Sequence, residues 1–267
     1  MKKTLFIFLL VSSGWALPTQ ISCGSAHTCS LIDGEVKCWG WNQYGQTEVP
    51  PLTNPREIRL GGSLSCALDD EGVKCWGRFG VEALRQIPPL KNVREFKTGG
   101  LHTCAIDDEG VKCWGHNGFG QSEVPPLKNP RSLALGGLHT CALDATGVKC
   151  WGFNDFGQTK APHLKNPKEI SAGNVHSCAL DEEGVKCWGY NEFGQLEAPV
   201  LKGPRQITSG SAHNCALDDE GVKCWGRNED GQTRVPLLKN PFAISAGGDQ
   251  SCALDETGVK CWGKQSE

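Results

Sequence analysis

No segment of the chain shows the 3.6-residue apolar period of an amphipathic helix. That excludes helical bundles and α/β folds and leaves an all-β protein. Long apolar runs are scarce as well. Only Leu5–Val11 stands out, and it is far short of the ~20 residues a membrane-spanning helix needs. A basic excess is missing: 27 lysines and arginines face 30 aspartates and glutamates, a formal net charge of −3. Such a chain has no electrostatic footprint for nucleic acid. Catalytic signatures are absent too, with no phosphate-binding loop, no HExxH and no Ser-His-Asp spacing outside a repeated pattern. Acid pairs such as Asp107-Asp108 fall in polar turns, where solvation is expected. The chain therefore reads as a non-enzyme. The short C-x2–4-C clips of zinc sites do not occur, so no metal or other cofactor is implied.

What the sequence does have is cysteine at a fixed interval. The stretch Leu101–Gly115, LHTCAIDDEGVKCWG, reads as two short strands, His102–Ile106 and Val111–Gly115. The polar turn Asp107–Gly110 between them ends in glycine, as hairpin turns do. If Ile106 faces Val111, then Cys104 faces Cys113, and opposed residues have Cβ atoms about 4.5–5.5 Å apart, close to what a disulfide requires. The stretch occurs seven times, with steps of 37 or 38 residues. It predicts the bridges Cys29–Cys38, Cys66–Cys75, Cys104–Cys113, Cys141–Cys150, Cys178–Cys187, Cys215–Cys224 and Cys252–Cys261. Each closes a ten-residue loop, worth about 2.5–3 kcal/mol in the chain-entropy account. Cys23 is left over.

The N-terminus agrees with an oxidising destination. Lys2 and Lys3 precede the apolar run, and Gly14-Trp15-Ala16 follows it, so residues 1–16 read as a secretory signal peptide cut after Ala16. A lipid-anchored Cys23 is the weaker alternative, because Gln20-Ile21-Ser22 lacks the leucine that opens a lipobox. Loss of Lys2 and Lys3 takes the charge from −3 to −5. Export to the periplasm, cell surface or medium places the cysteines where disulfides persist.

Residues 17–267 then form one domain of seven repeats, about 21–57, 58–95, 96–132, 133–169, 170–206, 207–243 and 244–267. In the fourth, strands are expected at Ser132–Gly136, Thr140–Asp144 and Val148–Gly152, followed by a connector, Phe153–Pro167. Prolines recur throughout the connectors, which marks them as crossover loops. The first repeat begins at strand one and the last stops after strand three. Units this small cannot bury a core alone and must stack. The end repeats keep the apolar pattern of the others, Leu31, Val36 and Trp39 against Leu254, Val259 and Trp262. That favours a closed ring over an open solenoid: a monomeric seven-bladed β-propeller with three-stranded blades.

The repeat AGG-x-H-T-C-A-L-D-x-x-G-V-K-C-W-G-x-N-x-x-G-Q resembles the regulator of chromosome condensation repeat family. The connector GQTEVP (Gly45–Pro50) and the short period are most similar to the propeller-type β-lactamase inhibitory proteins. The resemblance implies the same seven-bladed propeller. The cysteine pairs depart from those inhibitors, so their partner is not carried over.

Some repeated positions read as structural. Tryptophan follows every second cysteine, from Trp39 to Trp262, and is assigned to packing between blades. Lysine precedes it, from Lys37 to Lys260, and is assigned to guarding the outer strand edge, with carboxylates such as Asp70 and Glu71 offsetting the charge. His27, His102, His139, His176 and His213 share one position and are assigned to a hydrogen bond steadying the turn after strand one. A zinc or copper site there is the alternative. Tyr44, Phe119, Phe156 and Phe193 are expected to wedge beneath the connector loops. One position varies freely, the residue after each Trp-Gly: Trp41, Arg78, His116, Phe153, Tyr190, Arg227 and Lys264. Aromatics and arginine on a ring surface are the usual anchors of interfaces. Repeat two breaks the pattern at Arg78–Arg85 and carries Leu64 in place of histidine.

These features read as an exported scaffold that binds a protein through one propeller face. Three alternatives stand beside it. One is a secreted enzyme inhibitor, and another a carbohydrate-binding propeller with carboxylates in its channel. The third, which the resemblance implies, is nucleotide exchange on a small GTPase; export and acidity argue against it.

Overall fold

The computed structural model describes residues 19–77 and 86–264. The segment expected to be a signal peptide, Arg78 and the loop to Arg85 lie outside the described residues. Twenty-one strands form seven three-stranded antiparallel sheets, each an inner, a middle and an outer strand in chain order. The inner strands are β1 (Gln20–Cys23), β4 (Glu57–Leu60), β7 (Glu95–Thr98), β10 (Ser132–Leu135), β13 (Glu169–Ala172), β16 (Gln206–Ser209) and β19 (Ala243–Gly247). The middle strands are β2 (His27–Ile32), β5 (Leu64–Asp69), β8 (His102–Asp107), β11 (His139–Asp144), β14 (His176–Asp181), β17 (His213–Asp218) and β20 (Gln250–Asp255). The outer strands are β3 (Glu35–Gly40), β6 (Gly72–Gly77), β9 (Gly110–Gly115), β12 (Gly147–Gly152), β15 (Gly184–Gly189), β18 (Gly221–Gly226) and β21 (Gly258–Gly263).

The register follows from the turn. Asp107 opposes Gly110, a two-residue hairpin, so Ile106 opposes Val111 and Cys104 opposes Cys113. The same holds in every blade, and all seven expected disulfides are formed at Cα separations of 4.0–4.1 Å. Each middle strand is buried on both faces, because neighbouring blades cover it. In the first seam Cys29 and Leu31 meet Ile58, Ala67 and Trp76 of the next blade, and Val49 and Leu52 of the connector seal the outside. Trp76, Trp114, Trp188, Trp225 and Trp262 are buried in such seams and Trp151 is half-buried, in keeping with the packing role, whereas Trp39 departs from it at 40% exposed.

The ring closes. β1 lies against β4 on one side and β19 on the other. Cys23 N donates to Ser245 Oγ at 3.0 Å, and Gln250 Nε2 donates to the His27 carbonyl at 3.0 Å. Cys23 is buried here as an inert thiol, pushed up to about 12 by burial. The inner strands surround a channel of about 460 Å³. Their free edges are satisfied by the preceding blade. Gln20 Oε1 accepts from Ile58 N at 2.6 Å, Glu95 Oε2 from Leu133 N at 3.0 Å and Glu169 Oε2 from Ile207 N at 3.0 Å. A backbone belt runs around one end, including Ser25 N to Gly62 O at 3.2 Å and Ser211 N to Gly248 O at 2.8 Å. Glycine is required in it: a Cβ on Gly61 would sit 2.2 Å from the Gly99 carbonyl.

Three expectations change. Asp107 is not solvated. It is fully buried, and its carboxylate accepts from Lys91 N at 3.0 Å and Glu109 N at 2.8 Å, tying connector to turn. Burial works against its charge, but the hydrogen bond from Lys112 and the two backbone bonds outweigh it and hold the carboxyl at about 2. The lysines lie on outer strands, yet Lys74, Lys112, Lys149, Lys186 and Lys223 turn inward to the buried aspartate of their hairpin; Lys112 Nζ reaches Asp107 at 2.9 Å and the Pro89 carbonyl at 2.8 Å, while Lys37 stays exposed. Edge blocking is thus secondary to anchoring the connector. The histidines bond across seams rather than within their own turn. His27 Nε2 lies 2.9 Å from Ser65 Oγ, and Ser65 gives its proton to the Gln46 carbonyl at 2.7 Å, so the imidazole is the donor. His176 repeats this with Asn214 Oδ1 at 2.8 Å, which only accepts. The five rings sit in separate seams, and no group of three metal-ligating side chains forms among the described residues.

Candidate binding face

The variable position after Trp-Gly occupies one face of the ring. Each such residue is fixed by the same backbone bond. Trp41 N donates to Ala26 O at 2.9 Å, His116 N to Leu101 O at 2.8 Å, and Phe153 N to Leu138 O at 2.9 Å. Tyr190, Arg227 and Lys264 follow with Val175, Ala212 and Asp249 at 2.9–3.1 Å. Six of the seven predicted anchors are therefore equivalent in space as well as in sequence; Arg78 lies outside the described residues.

The loop that follows is rigid for reasons visible in its composition. Asn154 Oδ1 accepts from Thr159 N at 3.0 Å and Asn117 Oδ1 from Ser122 N at 2.9 Å, closing the loop on itself. The glutamine at its end is fully buried, and its amide oxygen holds the loop apex: Gln121 to Phe119 N at 3.0 Å, Gln158 to Phe156 N at 3.1 Å. Its main-chain carbonyl takes the indole N–H of the next blade, as Trp188 Nε1 to Gln158 O at 2.8 Å.

Tyr44, Phe119, Phe156 and Phe193 do not wedge beneath these loops. They are exposed on the same face, Phe119 by half of its surface. The apex glutamine leaves them nowhere to go but outward. They complete an arc that the anchors alone only sketch. His116 meets Phe119 at 6.3 Å, Phe119 meets Phe153 at 5.1 Å, Phe153 meets Phe156 at 6.1 Å, and Phe156 meets Tyr190 at 4.9 Å. Tyr190 continues to Phe193 at 6.4 Å, and the Arg227 guanidinium lies 5.6 Å above the Phe193 ring. Arg227 is steered there by Glu229 and by Asp249 at 3.2 Å. Trp41 and Tyr44 form a further edge-to-face pair at 5.1 Å. The signal for this was the placement of the aromatic between Asn and Gly-Gln, two residues that turn the chain.

The channel is a different environment. Glu57 pairs with Arg59 at 2.6 Å and Glu95 with Lys97 at 3.3 Å. Glu169 is held up at about 7 by burial. Its glutamates are engaged by strand edges and cations rather than gathered into a carboxylate cluster.

A repeat profile described as "Regulator of chromosome condensation (RCC1) repeat" matches residues 19–46, 93–121, 131–158, 168–195 and 205–232, more than half of the chain. The chain belongs to the RCC1 repeat family. Known propellers of similar shape are the ectodomain of the receptor kinase ACR4 from Arabidopsis thaliana and that of CR4 from Physcomitrella patens. The first has 22% identity and a TM-score of 0.75, with 93% of this chain and 98% of that one covered. The second has 23% identity and a TM-score of 0.77, with coverages of 94% and 74%. Prp20p from Saccharomyces cerevisiae follows at 18% identity and a TM-score of 0.73, with coverages of 92% and 82%. These likenesses show the fold. No curated protein sequence matches the chain. The profile leaves residues 47–92 and 233–267 unmatched, and no helix among the described residues is long and apolar enough to cross a membrane.

Proposed function

We propose that this RCC1-repeat propeller is an exported, non-catalytic scaffold that captures a partner protein on its aromatic face. The observation that carries the reading is the unbroken arc from His116 to Arg227 across blades three to six. Rings held at fixed spacing lose little entropy on binding, and aromatics with arginine are the side chains that dominate interface energetics. Seven disulfides and the likeness to plant receptor ectodomains support an extracellular setting. Prp20p, studied for its binding to Gsp1p and histones, supports protein binding as a use of such a ring. Capture of a partner from the native extracellular or envelope fraction provides the assay. Phe153→Ala and Tyr190→Ala should each weaken capture at least about tenfold, ~1.4 kcal/mol, with the melting temperature unchanged. Normal capture by Trp41→Ala, Phe153→Ala, Tyr190→Ala and Arg227→Ala alike would remove the face from consideration.

A further inference from the structure

The aromatic arc carries a second pattern along its length. Four loops build it, 116–123, 153–160, 190–197 and 227–234, and they hold six carboxylates against three cations. Three of those carboxylates, Asp155, Glu192 and Glu229, share one loop position in blades four, five and six. The loops around them fold alike. The asparagine before each carboxylate accepts from the backbone N–H five residues on, at 3.0 Å for Thr159, 2.9 Å for Leu196 and 3.2 Å for Thr233. The buried glutamine of each loop accepts from the N–H that follows the carboxylate, that of Phe156, Phe193 or Asp230, at 2.9–3.1 Å. The three acids are thus equivalent in space, a row of negative charge that follows the rings.

One member of the row shows what it can do. Glu229 and Asp249 hold the Arg227 guanidinium, which lies 5.6 Å from the centroid of the Phe193 ring of the preceding blade. A cation set against an aromatic face and paired with a carboxylate is stabilised by both. Blades four and five offer the same parts without the cation. Phe153 and Tyr190 stand where Arg227 stands in blade six, while Asp155 and Glu192 are exposed and form no ion pair among the described residues. The other two cations, Lys160 and Arg234, stand at the last loop position, where Glu123 and Glu197 are held by their loop's asparagine.

We propose that the occupant of the arc is a basic segment of the partner protein, which lays arginine or lysine side chains over the rings of blades four and five and pairs them with Asp155 and Glu192. This rests on the aromatic face being the capture surface, and it adds the chemistry of what is captured. Charge complementarity selects the partner, because a neutral or acidic segment would meet the row with nothing to pair or with repulsion. Arginine suits the seat better than lysine. Its planar guanidinium stacks on a ring while its N–H groups reach a carboxylate, as Arg227 does within the chain.

The test uses the purified full chain and a fluorescein-labelled peptide of alternating glycine and arginine, with citrulline in place of arginine as its neutral match. Saturable one-to-one binding is expected for the arginine peptide and none for the citrulline peptide. The double variant Asp155→Asn, Glu192→Gln should weaken binding at least tenfold, and Phe156→Ala should do the same. Glu182→Gln with Asp219→Asn removes equal charge from turns between middle and outer strands, away from the arc, and should leave binding unchanged. Equal weakening by the two double variants would reduce the effect to net charge and overturn the proposal. Equal binding of the citrulline peptide would overturn it too. Capture of the native partner separates this proposal from the one beneath it. Capture lost in Tyr190→Ala but kept by Asp155→Asn, Glu192→Gln overturns the basic occupant and leaves the aromatic face standing, whereas capture kept by both variants removes the face itself.

Discussion

Glu169 does at one point of the ring what glutamine does at two others. It accepts from Ile207 N, as Gln20 accepts from Ile58 N and Gln206 from Ile244 N. A neutral amide is suited to the task, and a carboxylate in the channel is not, so burial raises Glu169 to about 7 against an unfolded value of about 4.3. Folding therefore takes up a proton. The stability tied to this group is complete below about pH 4.3 and is lost as pH rises through about 7. Glu169→Gln should raise the melting temperature at pH 8 and leave it unchanged at pH 4. Scanning calorimetry at both values checks this, and equal effects at the two would reject the assignment. Neighbouring acids show how far residue identity alone carries. Asp107 and Asp108 look alike in the sequence, yet one is buried under Lys112 and the other is exposed. What separates them is the pleat. Asp107 ends the middle strand and faces the connector, whereas Asp108 begins the turn, and only the connector's path decides that the inner one is needed.

At the scale of the hairpin nearly everything was legible. Cysteine opposite cysteine, glycine at the turn and tryptophan one residue on fix strand limits, register and the buried face, because side chains alternate with period two. The connector was not legible in the same way. Its prolines marked it as a loop, but nothing local showed that its glutamine would be fully buried or that its carbonyl would serve the next blade's indole. Nor did anything local show that the apex aromatics would point outward. Those roles depend on a partner residue 30 positions away. The hairpin bridges should carry much of the stability, at up to about 3 kcal/mol each in the entropic account. Excess reductant should lower the melting temperature by tens of degrees. A melt unchanged after complete reduction, verified by thiol titration, would show that the seams alone suffice.

The whole ring responds to acid through its seams. Burial lowers His27, His102, His176 and His213 to about 4 and His139 to about 3, from about 6.5 unfolded. The unfolded chain thus binds more protons below pH 6.5. The stability these groups contribute is whole above that value and declines as pH falls towards 4. Asp107 extends the decline towards about 2. Melting temperatures should fall steadily from pH 7 to pH 4, and His176→Gln should flatten the slope, since Gln250 shows that an amide fits the position. A melt independent of pH over this range would contradict the buried, neutral assignment. Closure itself was foreseen from the matching end repeats, and the bonds joining blade seven to blade one bear it out.

The joint formed by Gln250 and Thr28 has a further consequence. Five joints use an imidazole donor and are chemically interchangeable, so on their own they would let the first blade close against an earlier blade than the seventh. The amide at the final joint is keyed differently, and its oxygen accepts the hydroxyl of Thr28. Such a key gives the ring a means of counting: it favours closure of the first blade on the seventh over closure on an earlier blade that offers an imidazole donor in place of an amide oxygen.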